Sequence, residues 1–150
     1  MNNEFPQSET DRMLSGMLMF GTVEAVDHDN ARVRVRSGDW VSAWLPWGSQ
    51  AAGEVRHWRP PSIGEQALIL SPSGRPEQAG VIPGFYTTQH AAPSNDGKTV
   101  LWELPADFTF IIRVGATTLT VSSDGVHVQG NIIASGDILN DGTNSNHHQH

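Results

Sequence analysis

The sequence predicts an all-β chain: an N-terminal OB-fold barrel followed by an intertwined triple-stranded β-helix needle, the whole being a homotrimer. Three observations carry this. The Leu/Ala/Glu/Lys-rich runs that fill helices are missing, and Lys98 is the only lysine. Thr, Val, Ser, Gly and Asn dominate the second half, which is strand and turn composition. Apolar residues recur with period 2 in short runs broken by Gly, Pro, Asp and Ser.

Residues 1–19 differ from the rest. Ser8 or Thr10 can N-cap a short helix in which Met13, Leu14, Met17 and Leu18 share one face. That face either packs on its own domain or serves as an arm that docks neighbouring subunits.

Residues 20–88 read as about five short strands, the number of a small closed OB barrel. Gly21–Val26 alternates, with Val23 and Ala25 on one face and Val26 out of phase. Ala31–Arg36 alternates strictly, which turns Val33 and Val35 inward and Arg32, Arg34 and Arg36 outward. Trp40–Trp44 forms a third strand closed by Pro46. Gln66–Leu70 is a continuous apolar run suited to a buried strand, and Gln78–Tyr86 is the last strand after a Pro/Ser/Gly loop. Trp40, Trp44, Trp47 and Trp58 are expected in the barrel core or at a subunit interface. The three arginines form either a solvated face or a contact with proteins surrounding the barrel.

Residues 89–98 form a polar linker. Beyond it Val100, Trp102 and Leu104 alternate, as do Phe108, Phe110, Ile112 and Val114, then Thr117, Leu119 and Val121, then Val126 and Val128. Gly130, Ile132 and Ala134 continue the phase. Each run has one apolar face. About 50 such residues cannot bury those faces within one monomeric domain. Three identical chains wound together over residues 99–150 would bury them on a common axis. The inward residues shrink from Trp and Phe to Val, Ala and Gly, which implies a taper.

The chain ends His147-His148-Gln149-His150. In an extended segment His148 and His150 point to the same side, about 6.5–7 Å apart. A three-fold axis would collect six imidazoles in two layers, a set that suits Fe(II), Co(II) or Ni(II) better than four-coordinate Zn(II). His28, His57, His90 and His127 have no zinc-like spacing and read as structural or solvated.

A net charge of −7 argues against a nucleic-acid partner, whose phosphates call for a basic surface. The alternative function is an OB-fold module that binds nucleic acid or carbohydrate by stacking on the tryptophans. No carboxylate pair with a pocket-forming segment, no Gly-rich phosphate loop and no Ser/His/Asp constellation points to an enzyme, so no catalytic residue is expected. No signal peptide or membrane-spanning run is evident, which predicts synthesis in the cytoplasm.

Gly21–Asp27, Ala31–Val35, Trp44-Leu-Pro-Trp47, Arg59-Pro-Pro-Ser-Ile-Gly-Glu-Gln-Ala-Leu-Ile-Leu70 and Asp137–His150 occur in an order and spacing that resemble the baseplate central spike family (baseplate assembly protein V) of contractile-tailed phages. The version in R-type bacteriocins, or pyocins, looks closest. The resemblance implies a membrane-piercing homotrimer: a barrel above, a β-helix below, and one iron ion at the tip held by the pair matching His148 and His150. It also implies tail tube and baseplate partners, a bacterial outer membrane as target, and release of the assembled particle by lysis. Family members usually continue past His-x-His, whereas this chain stops at His150.

Overall fold

A computed structural model describes residues 4–139. They fall into two compact units that divide between Asn95 and Asp96.

The first unit opens with helix α1, Glu4–Met17. The helix begins several residues before the expected cap at Ser8 or Thr10. Pro6 fits in the first turn, where a missing N–H costs nothing, so it does not delay the start. Strand β1, Leu18–Asp27, follows without a linking residue. It pairs antiparallel with β2, Arg32–Ser37, and with β5, Gln66–Leu70, and β5 pairs with β6, Gly80–Phe85.

The phase break at Val26 is a bulge. Val23 faces Val35, then Ala25 faces Arg34 and Val26 faces Val33. The extra residue in β1 returns Val26, rather than Ala25, to the core.

The strand expected over Trp40–Trp44 is instead two short pieces, β3 (Trp40–Val41) and β4 (Leu45–Pro46), both paired with β2. Between them the Ser42 hydroxyl accepts the Val35 N–H at 2.9 Å and donates to the Ala43 carbonyl at 2.7 Å. A side chain has taken the place of a ladder bond, and the strand breaks there.

The sheet runs β3-β2-β1-β5-β6 with β4 also on β2. A parallel bridge from Trp47 to Val81, with the Gly48 N–H on the Val81 carbonyl at 2.8 Å, joins its ends. The result is a closed barrel. Its core is Val23, Val33, Val35, Leu45, Ala67, Ile69, Ala79 and Val81, each at most 2% exposed. Met19, Val26, Trp40 and Trp47 pack against it.

The second unit holds a three-stranded antiparallel meander: β7, Phe110–Val114; β8, Thr117–Ser122; and β9, Gly125–Gln129. Gly115 and Gly125, at φ 57° and 129°, make its turns. The alternating segments 100–104 and 130–134 are not strands. Alternation supplies a face, but a strand also needs a regular ladder with a second strand, and among the described residues these segments form none.

Candidate functional site

Two surfaces stand out, one in each unit. On the barrel, the three arginines of β2 project outward as expected, alternating with buried Val33 and Val35. Arg36 is ion-paired with Glu24, the residue added by the β1 bulge. The Arg34 guanidinium lies 4.9 Å from the centre of the Trp44 ring, a cation–π contact on a side chain 41% exposed. The tryptophans therefore divide. Trp40 and Trp47 serve the core, whereas Trp44 and Trp58 are exposed, Trp58 leaning on Trp47 with ring centres 5.5 Å apart.

The Pro-x-x-Gly-Glu segment explains itself locally. One Arg59 Nη1 lies 2.7 and 2.9 Å from the two carboxylate oxygens of Glu65. The second oxygen also accepts the Ser62 N–H at 2.8 Å, and Gly64 turns at φ 90°. These contacts fasten the loop 59–65 to the start of β5.

Ser49 and His57 come together at 3.2 Å, a pairing that polarity patterns did not single out. The Ser49 hydroxyl donates to the His57 carbonyl at 2.7 Å, and the His57 N–H donates to the Ala51 carbonyl at 2.8 Å. This network closes a loop rather than presenting a nucleophile.

The second surface is one face of the meander. Register aligns Phe110, Val121 and Val126 in one row, and Ile112, Leu119 and Val128 in the next. The opposite face carries Arg113, Thr118, Thr120, His127 and Gln129, together with Ile111. None of the described residues from Asp96 to Leu139 is buried. Ile112 is 50% and Val126 68% exposed. Trp102, Leu104, Phe108, Phe110 and Val121 border a cavity of about 430 Å³ in this unit, and the rings of Trp102 and Phe110 sit 6.3 Å apart. So much apolar surface left in water on a three-stranded sheet marks an interaction surface.

His148 and His150 lie outside the described residues. Among the described residues no cluster of three or more His, Asp or Glu could hold a metal ion, and no helix is long and apolar enough to cross a membrane.

Residues 19–86 match the family model of the type VI secretion system/phage-baseplate injector OB domain. The spike protein of Escherichia phage P2 is 33% identical over 122 residues, which cover 81% of this chain and 58% of that relative. The chain thus spans less than two thirds of that relative's length. The matched span contains nearly all of the closed barrel and the identity runs through most of the chain, and both support placing the chain with the baseplate central spike family.

Proposed function

We propose that the chain is the structural central spike of a contractile tail, of a phage or a headless R-type bacteriocin, which penetrates the bacterial outer membrane when the sheath contracts. The observation that best supports this is the bare apolar face of β7–β9, following an injector OB domain in sequence. Three copies winding residues 99–150 into a triple-stranded β-helix would bury the Ile112 and Phe110 rows on the axis. They would also give segments 100–104 and 130–134 a strand ladder to join.

A needle must be narrow and stiff and must expose little apolar surface. Interlocked strands leave no free sheet edge, so axial load falls on hydrogen bonds shared by three chains. The barrel, with Arg32, Arg34 and Arg36 outward, would meet tail tube and baseplate proteins. His148 and His150 of three chains would supply six imidazoles to one iron ion or another octahedral transition metal, clamping three ends that otherwise splay. The role is mechanical and non-enzymatic, and nucleic acid is not a partner. In this reading the chain is made in the cytoplasm, built into the baseplate and released by lysis.

The test is a comparison of particles assembled with and without this chain. Sheath contraction is scored by electron microscopy and outer-membrane permeability by dye entry into target cells. Particles with the chain should contract and admit dye. Particles without it that still contract and admit dye at the full rate would contradict the proposal.

A further inference from the structure

On the outside of the barrel, Leu18, Phe20 and Thr22 of β1, Gln66, Leu68 and Leu70 of β5 and Ile82 of β6 are uncharged. Register places Leu18 beside Leu70, and sets Phe20, Leu68 and Ile82 in one row across β1, β5 and β6, on the side opposite the buried Ala67, Ile69 and Val81. Thr22 and Gln66 complete the rows. Leu18, Phe20 and Ile82 are 57%, 53% and 45% exposed. A register shift in the β5–β6 pairing, with Gly84 at φ 98°, brings the Phe85 ring edge-on to Phe20, centres 5.1 Å apart. A continuous, partly exposed apolar patch of this kind marks an interaction site.

Helix α1 carries a second such surface. Met13, Leu14 and Met17 are 52%, 57% and 36% exposed, and by helical spacing Glu9, ion-paired with Arg12, lies one turn before Met13 at the N-terminal end of their stripe. The helix is fastened to its own barrel near its C-terminal end. The Ser71 N–H donates to the Met17 carbonyl at 2.8 Å, and the turn Pro72–Gly74 packs alongside.

We propose that α1 of one copy docks its Met13–Leu14–Met17 stripe on the Leu18–Phe20–Ile82 face of an adjacent copy's barrel. Three features select a second copy as the occupant. Both surfaces are apolar and uncharged on a chain whose net charge is −7, so they suit each other while most of the remaining surface repels its own kind. Because β1 begins at the residue after α1 ends, the 14-residue helix is a directly joined arm about 21 Å long, enough to cross to a neighbouring barrel. The third feature rests on the trimeric reading of residues 99–150 given above: that unit already gathers copies.

The chain has no cysteine, which makes cross-linking clean. The full chain carrying Leu14→Cys with Ile82→Cys is treated with a short bis-maleimide. Covalent products are read on a denaturing gel, and the native mass of the same sample is read by light scattering. The expected result is covalent species of two and three chains that neither single variant gives. Adding Phe20→Glu should lower their yield about tenfold, because a carboxylate would have to be buried on an apolar face. A native trimer whose links are absent or confined to single chains would overturn this docking and leave the needle standing. A native monomer would overturn both.

Discussion

Arg59 places one guanidinium nitrogen against both carboxylate oxygens of Glu65, at 2.7 and 2.9 Å, and Glu65 also holds the Ser62 N–H. The Glu65 side chain is 11% exposed and that of Arg59 40%, so the contact is sheltered on one side only. Glu65→Ala strands both partners and should cost about 1–3 kcal/mol, less than breaking a fully buried pair. Glu65→Gln, which can still accept from Ser62, should cost less. Urea unfolding of the two variants, followed by tryptophan fluorescence, checks the order.

Gly21 has a different basis. A Cβ built there would stand 2.6 Å from a Val35 methyl and 2.7 Å from the Arg36 carbonyl oxygen. The first contact can relax by a rotamer change, but the second is backbone. Gly21→Ala should therefore destabilise the barrel by about 1–3 kcal/mol. Gly16, with nothing within 4 Å of its would-be Cβ and a place inside α1, is the control. Gly16→Ala should be neutral or stabilise by up to about 1 kcal/mol.

Two surface aspartates, Asp27 half-buried and Asp96 exposed, have carboxyls held below the ordinary value of 3.8. The Asn30 side chain and then its backbone N–H hold Asp27, while the Thr99 hydroxyl and then the Lys98 N–H hold Asp96. A depressed carboxyl stabilises the fold above 3.8, and that contribution is lost as pH falls through the lower, folded value. Carboxyl-carbon NMR titration should place both midpoints below 3.8. Thr99→Val should raise the Asp96 midpoint and leave that of Asp27 in place.

The metal reading predicts that His148→Ala with His150→Ala abolishes transition-metal content in elemental analysis and lowers the thermal midpoint of the assembled protein. Unchanged metal content would remove these two residues from the proposed tip.

How far the sequence reached depended on what kind of contact decided each element. Strands β1 and β2 follow from alternation and β5 from a continuous apolar run, because Val23, Val33, Val35, Ala67 and Ile69 answer to one core. Even the bulge left a mark, in the out-of-phase Val26. The broken third strand left none. It turns on the Ser42 hydroxyl taking the Val35 N–H, and hydrophobic patterning does not register side-chain hydrogen bonds. The early start of α1 was missed because cap rules pointed to Ser8 and Thr10, whereas Pro6 is tolerated in a first turn. Segments 100–104 and 130–134 show a face without a strand, since pairing is a property of two segments and alternation belongs to one. On the barrel surface, Arg32, Arg34 and Arg36 were legible from alternation, but the placing of Arg34 over Trp44 depended on how the broken strand returns to β2.

The central claim is that the bare rows of Phe110, Ile112, Val121 and Val126 are covered by further copies of this chain. Light scattering on the peak from size-exclusion chromatography measures this most directly. The account predicts a mass three times 16.3 kDa, unchanged on dilution, and a shift toward the single-chain mass when Ile112→Asp is introduced. A single-chain mass for the unaltered protein would contradict it.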